Sequence, residues 1–280
     1  MKMYTSFRIG GIADILAEPA DTRDLAVLAE EARKAALPMT ILGEGANILV
    51  SDKGIRGLVI RMAGLSGIHV RNSSLRAEAG AKMTDTVTSA SAAGLSGLEF
   101  IYAMPGSVGG SVWMNARCFG HSISEVLSRV EYIGSEGPGE YHVRAGDFGY
   151  KKSPFQSMDA VITAAEFSLA EGRPDEIRAA LEKAKREREE KGHFLHPSAG
   201  SVFKNNRGFG KPTGKLLESL GLKGVRKGGA QIAPFHANII INTGGASASD
   251  VRELMELAEE KVLAAYGFVL EREILLVGEW

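Results

Sequence analysis

The chain has 280 residues, enough for two modest domains or one large one. With 33 basic against 34 acidic residues, its formal charge of -1 excludes a global pull toward nucleic acid or anionic membrane, so any anionic ligand must be met by local groups. A single cysteine, Cys118, excludes an internal disulfide and a cysteine cluster for zinc or iron–sulfur, and suits a reducing cytoplasm.

The opening MKMYTSFRIGG lacks the apolar run of a signal peptide. The longest uncharged stretch, residues 230–249, is broken by Pro234, His236, Asn238, Asn242 and a glycine pair, so a soluble protein without a membrane span is expected. Residues 21–37 predict an amphipathic helix with Leu25, Leu28, Ala29, Ala32 and Ala36 on one face and Asp21 or Thr22 as its cap. MTIL (39–42) and NILV (47–50) read as strands flanking the turn GEGA, with GLVIRM (57–62) as a third. Short strand-like runs then recur to about residue 170 (IHV, LRAEAG, VEYIGS, YHVRAG, AVITAAEFSL), interrupted by a helix near 84–93. Pro174 opens a helix at the favoured first position, with Asp175 and Glu176 in its first turn and Ile177, Leu181 and Ala184 as its buried stripe. Its end, KAKREREEKG, mixes signs and reads as a solvated face. A short helix (214–220), a long one (249–265) capped by Ser247 or Ser249, and a closing strand FVLEREILLVG complete the chain. The pattern is α+β, with the best domain boundary near the helix at 174–191.

Five stretches offer chemistry. In ILGEGANILVSD (41–52) a glycine turn between strands lets several N–H groups converge on an anion, as a nest does for a pyrophosphate. A strand follows rather than a helix, so this is no Rossmann fingerprint, and a plain hairpin-like turn is the other reading. In EFIYAMPGSVGGSVWMNARCFG (99–120), uncharged between Glu99 and Arg117, a glycine-rich backbone could lie flat against a large planar ligand. In GYKKSPF (149–155), Tyr150 and Phe155 flank two lysines, so at least one lysine is expected to point inward. In SAGSVFKNN (198–206), Ser201 lacks the G-x-S-x-G of a hydrolase and the Gly-Lys-Ser/Thr of a phosphate loop, which leaves a proton donor or a turn. In GGAQIAPFHANIIIN (228–242), Gln231, His236 and Asn238 are core polar groups or ligand contacts. No acidic, cysteine or second histidine ligand is spaced for a metal, so none is expected. Glu271 and Glu273 would share one face of the closing strand.

Taken together, TSFRIGGIAD (5–14), LGEGANILVSD, MPGSVGGSVWMNA, GYKKSPF, SAGSVFKN, GGAQIAPFHANIIIN and LEREI run in the family's order over nearly the whole chain. The sequence resembles the UDP-N-acetylenolpyruvoylglucosamine reductase (MurB) family of peptidoglycan synthesis, in its compact type II branch. That resemblance implies an FAD-binding domain of the vanillyl-alcohol-oxidase (PCMH) type over 1–172, with subdomains at about 1–62 and 63–172. A C-terminal α+β substrate-binding domain over 173–280 would follow. It implies NADPH as reductant of FAD and hydride delivery to the vinyl methylene of a UDP-sugar enolpyruvate; a cytoplasmic enzyme without nucleic-acid or membrane partners is expected, with a monomer as the working assumption.

The resemblance also distributes roles. Cofactor contacts would come from Gly43, Glu44, Gly45, Ala46, Asn47, Ile48 and Leu49, and from Met104, Pro105, Gly106, Ser107, Gly109, Gly110 and Asn115. Ser201 would donate the proton, Glu273 would handle charge near the substrate carboxylate, and Lys151 would stand where the family has an arginine. Tyr150, Lys204, Asn205, Lys215, Gln231, His236 and Asn238 would contact substrate. Lysine at 151 keeps the charge but loses the planar fork. Ala46 removes a hydroxyl from the usual G-x-G-S-N, Met104 and Ser107 depart from NPGT, Arg117 replaces a glycine, and little precedes TSFRIGG. The short span from Lys151 to Ser201 matches the branch without the tyrosine-bearing loop over the substrate. Two other readings stand beside this one: a flavoprotein oxidase of the same fold, and a flavin-binding protein without reductase activity.

Overall fold

In a computed structural model covering residues 1–280, Asp21 opens α1 (Thr22–Lys34). Its carboxylate accepts the N–H groups of Arg23 (2.8 Å) and Asp24 (2.9 Å). Leu25, Ala29 and Ala32 form the buried face, as the 3.6-residue spacing predicts. The architecture is α+β, and the chain divides into two units. The larger comprises Ile15–Glu44 and Gly57–Glu187; the smaller comprises Met1–Asp14, Gly45–Arg56 and Arg188–Trp280.

The larger unit is built on an antiparallel five-stranded sheet, in the order Gly137–His142, Leu127–Gly134, Ala160–Ser168, Ser74–Glu78, Ile68–Arg71. Alternation sorts its faces. Leu75, Ala77, Val130, Ala165 and Phe167 enter the core, whereas Arg76 reaches across to clasp Glu131 through two hydrogen bonds (2.8 and 2.6 Å). The buried face packs with α2 (Met83–Ala92) and α3 (Val108–Met114). Met39–Leu42 pairs in parallel with Ile55–Arg61, from Met39↔Leu58 to Leu42↔Arg61. Pro174 begins α4 (Pro174–Glu190), whose Ile177 and Ala184 are buried.

In the smaller unit an antiparallel sheet runs in the order Ser198–Ser201, Ile239–Asn242, Ala230–Ile232, Arg226–Lys227. It shares a core with α5 (Thr213–Ser219) and α6 (Ala248–Tyr266). Ser247 and Asp250 form a capping box at the start of α6, and the Asp52 carboxylate accepts the N–H groups of Ala248 (2.8 Å) and Ser249 (3.0 Å) there. Phe7, Phe203 and Leu49 fill the same core, each contributing about 1.5–3 kcal/mol by leaving water.

Two strand expectations change. Residues 39–50 are not a hairpin: Ile48–Val50 pairs in parallel with Leu275–Val277, at the other end of the chain. The closing strand is also shorter than its apolar run. Only Leu275–Val277 is regular; ahead of it, Arg272 makes an isolated bridge to Phe203, and Glu273 lies between the two. No helix is long and apolar enough to cross a membrane.

Candidate functional site

The glycine turn after Leu42 shows why its residues are small. Gly43 belongs to the larger unit, where a Cβ would overlap the Ser107 hydroxyl, so this turn and the MPGSVGG segment touch. Gly45 belongs to the smaller unit and has φ +61°; a Cβ there would overlap the Tyr4 carbonyl. Ser6 lies on one side of the turn. Its N–H donates to the Gly45 carbonyl (3.1 Å), and its hydroxyl lies 3.3 Å from the Gly45 and Ala46 carbonyls. In a trans peptide the N–H points opposite to the carbonyl, so the N–H groups of Ala46 and Asn47 point away from Ser6. Paired N–H groups of this kind fit a pyrophosphate. Ile48 and Leu49 continue as strand. Asn47 turns its side chain elsewhere: Nδ2 donates to the Glu273 carbonyl at 3.1 Å.

The second glycine segment is fixed along its length. The N–H of Met83 donates to the Gly106 carbonyl (2.9 Å), while those of Val108 and Gly109 donate to Ala81 and Ala79 (both 2.8 Å). Ser107 caps α3 by accepting the Gly110 N–H (3.3 Å), and Met104 packs half-buried against the core beside exposed Pro105. Asn115 ends α3 in the left-handed region and is 3% exposed. Its amide donates to the Gly149 carbonyl (2.7 Å) and accepts the Ser124 N–H (3.3 Å), so its polar atoms meet backbone.

That contact holds the loop bearing Lys151. Gly149 and Lys152 exchange two backbone hydrogen bonds, each 3.1 Å, and Lys151 at the tip has φ +57°. Ser153 donates to the Trp113 carbonyl (2.7 Å), and Gln156 donates to the carbonyls of Trp113 (3.0 Å) and Lys151 (3.1 Å). Phe155 is the buried anchor, edge-on to Tyr132 and Tyr141, whereas Tyr150 is exposed. A non-glycine residue held left-handed by its surroundings stores strain of about 1–3 kcal/mol, which is common at functional loops.

Ser201 closes the strand Ser198–Ser201, where the pairing with Ile239–Asn242 shifts register. Val202 N–H donates to the Asn238 carbonyl (2.9 Å). The Asn238 side chain, 3% exposed, accepts the Phe203 N–H (3.0 Å) and donates to the Phe203 carbonyl (2.8 Å). On the other side, Glu273 N–H donates to the Val202 carbonyl (2.7 Å), and Lys204 N–H donates to the Glu271 carbonyl (2.8 Å). Ser201 and Glu273 are thereby set on neighbouring backbones, and Glu273 is 9% exposed. The Lys204 ammonium pairs with Glu271, and Asn205 Oδ1 accepts the Thr213 N–H (2.9 Å) at the start of α5.

The remaining expected contacts sort differently. Gln231 Nε2 donates to the Gly224 carbonyl (3.0 Å), and Arg226 donates to Gln231 Oε1 (3.3 Å). Lys215 is exposed and pairs with Glu218; with Lys223 it holds that carboxyl down at about 2. Burial lowers the His236 pKa, so the ring is neutral near pH 7, and its Nδ1 accepts the Asn238 N–H (3.2 Å). Burial, then the charges of Arg188, His236 and Lys191, push nearby His193 down to about 4.

Sequence reasoning missed Ser6, whose hydroxyl also donates to the Ser198 carbonyl (2.7 Å), and Asn242, whose amide donates to the Phe7 carbonyl (3.1 Å). Short polar residues inside otherwise apolar motifs, TSF and IIIN, are the signal that was there to find.

Comparison with known proteins places both parts of the chain in described families. A family model described as the UDP-N-acetylenolpyruvoylglucosamine reductase C-terminal domain matches residues 191–277, and an FAD binding domain model matches 13–138. The UDP-N-acetylenolpyruvoylglucosamine reductase of Treponema denticola is 43% identical over 299 residues, covering 100% of this chain and 92% of its own. That of Pediococcus pentosaceus is 38% identical, covering 100% and 93%. The crystal structure of the Thermus caldophilus enzyme superposes with a TM-score of 0.84 at 32% identity, covering 99% of this chain and 96% of its own. At 43% and 38% identity over the whole of its length, the chain belongs to the UDP-N-acetylenolpyruvoylglucosamine reductase family.

Proposed function

We propose that this protein is an FAD-dependent, NADPH-consuming reductase of UDP-N-acetylglucosamine enolpyruvate. It converts the enolpyruvyl group to the lactyl ether of UDP-N-acetylmuramate in peptidoglycan precursor synthesis. The observation that carries the reading is the 2.7 Å hydrogen bond from the Glu273 N–H to the Val202 carbonyl, which supports it by joining the backbone of the proposed charge-handling glutamate to the residue after the proposed proton donor.

FAD, when bound, supplies the two-electron chemistry; the chain supplies anion binding, orientation and a proton. The glycine turn fits the FAD pyrophosphate through the N–H groups facing away from Ser6, and the fixed backbone of 106–110 fits the rest of the cofactor. Once hydride has reached the methylene carbon, the adjacent carbon carries negative charge alpha to a carboxylate. Ser201 donates its hydroxyl proton to that carbon. Lys151 pairs with the carboxylate, and Glu273 governs the charge around it. Lys204 and Asn205 face the sugar nucleotide, with Tyr150, Lys215, Gln231, His236 and Asn238 contributing around it. The Asn238 and Gln231 contributions run largely through the backbone they brace.

Division of labour at about 172/173 is supported by the two family models, which fall on either side of it. The division is one of ligand contact rather than compaction, because residues 1–14 and 45–56 group with the C-terminal residues. The reading includes work in the cytoplasm, as a monomer, without nucleic-acid or membrane partners.

The test is anaerobic and spectroscopic. The purified protein should show a flavin spectrum that bleaches with NADPH and returns on adding the enolpyruvyl sugar nucleotide. Bleaching without that return would point to an oxidase, flavin without bleaching to a binding protein, and a colourless protein would sink the flavin reading.

A further inference from the structure

We propose that the Asn47 side chain is a positioning residue for Glu273, so that the nucleotide turn holds the backbone of the proposed charge-handling glutamate; this rests on the role assigned to Glu273 above. Three observations converge on it. First, Asn47 Nδ2 donates to the Glu273 carbonyl (3.1 Å), and the Asn47 carbonyl accepts the Leu275 N–H (3.0 Å). One residue thus grips the closing segment on both sides of Ile274. Second, the Glu273 N–H is engaged by the Val202 carbonyl (2.7 Å), so both backbone polar groups of Glu273 have partners, one next to Ser201 and one in the turn. Third, Glu273 lies outside the regular strand Leu275–Val277 and after the isolated bridge at Arg272, so no continuous ladder holds it.

Two backbone hydrogen bonds at opposite ends of one residue fix the direction of its Cα–Cβ bond, and so the origin from which the carboxylate reaches out through its side-chain torsions. The Asn47 bond is the one that a side-chain change can remove. An amide suits the position because it donates. A carboxylate of the same shape would set an oxygen against the Glu273 carbonyl. The far side of the turn is braced by Ser6, which contacts the Gly45 and Ala46 carbonyls and also donates to the Ser198 carbonyl in the Ser201 strand. The turn is therefore tied to both segments that carry the proposed proton chemistry, through Ser6 to the Ser201 strand and directly through Asn47 to Glu273.

The test compares Asn47→Ala and Asn47→Asp with the parent protein, each loaded with FAD, and measures the NADPH and substrate half-reactions separately. In both variants the substrate half-reaction should slow about tenfold more than the NADPH half-reaction, since misplacement of a reacting group by a fraction of an ångström acts on the step it serves. Adding Asn47→Ala to Glu273→Gln should cost no further rate in the substrate half-reaction, the signature of one residue acting through another. Independently of turnover, amide hydrogen exchange in the flavin-free protein should rise roughly tenfold over 273–275 in Asn47→Ala.

Equal slowing of both half-reactions, additive losses in the double variant, or unchanged exchange over 273–275 would overturn the proposal. So would failure of both variants to hold flavin, which would make Asn47 a cofactor residue only. A Glu273→Gln protein with an unimpaired substrate half-reaction would instead remove the role of Glu273. The exchange result would still report whether Asn47 holds the segment.

Discussion

Glu273 donates its backbone N–H to the carbonyl of Val202 at 2.7 Å, across a sequence gap that no local pattern bridges. Val202 follows Ser201 and is itself fixed by its N–H bond to the Asn238 carbonyl (2.9 Å). Three segments, around residues 202, 238 and 273, are therefore held by backbone bonds before any side chain is considered. Such preorganisation matters for a weakly acidic serine, because a hydroxyl becomes a useful proton donor only when held at the carbon that needs the proton.

Ser201→Ala should separate the two halves of the reaction. Bleaching by NADPH should stay within about twofold of the parent, while substrate-driven recovery slows by about 10²–10⁴-fold, the usual range for loss of a positioned acid. Stopped-flow absorbance of the flavin reads both steps. Loss of both together would remove the proton-donor role from Ser201.

Much of the fold was legible because its signals are local. Asp21, Pro174 and Ser247 each mark a helix start where the structure has one, and the strand-like runs VEYIGS and AVITAAEFSL fall on the strands Leu127–Gly134 and Ala160–Ser168. The pairing of Ile48–Val50 was not legible. Its partner, Leu275–Val277, is more than two hundred residues away, and a parallel pair leaves no turn signature between its strands. At the site, residue types were legible but the direction of their polar atoms was not. Asn47, Asn115, Gln231 and Asn238 were all expected to contact ligands, yet each has amide atoms bonded to backbone. A buried amide serves either purpose with the same letter, and only the fold decides.

Asn238→Ala should therefore act on stability as well as on rate. The change removes a buried amide that both accepts from and donates to Phe203, leaving an N–H and a carbonyl unmet, at a cost of about 2–4 kcal/mol. A fall in the urea midpoint with the denaturant slope unchanged would register it. A variant as stable as the parent would show that Phe203 finds other partners and that Asn238 is held for the ligand.

Lys151→Arg should retain or raise turnover, with a lower KM for the sugar nucleotide, if a positive charge opposite the carboxylate is what the position supplies. The left-handed backbone at 151 (φ +57°) taxes lysine and arginine alike, so the exchange tests the head group rather than the loop. Lys151→Met should keep the loop, since Gly149 and Lys152 still bridge, and lower turnover about 10²-fold or more. A large loss in the arginine variant would argue that the position needs a compact ammonium.

His193 gives the chain a defined acid sensitivity. Burial, reinforced by the charges of Arg188, His236 and Lys191, lowers its pKa from 6.5 to about 4 in the folded protein. An unfolded chain then binds a proton at this ring that the folded chain refuses anywhere between those two values. By linkage, stability is fully present above about pH 6.5 and falls as the pH drops toward 4, below which the ring contributes no further change. His236 is shifted in the same direction, also chiefly by burial, and adds to the same slope. Glu131 and Asp250 are carboxyls shifted downward from 4.5 and 3.8, so their loss comes below about pH 5, and the slope between pH 6.5 and 5 comes from bases that burial lowers, the two histidines and the N-terminal amine of Met1. Because water reaches part of the ring, the expected contribution of His193 is on the order of 1 kcal/mol. Urea midpoints at pH 7, 6, 5 and 4.5 should show the slope in the parent and a shallower one in His193→Gln. Equal slopes in the two proteins would mean that His193 takes up its proton in the folded state as easily as in the unfolded one.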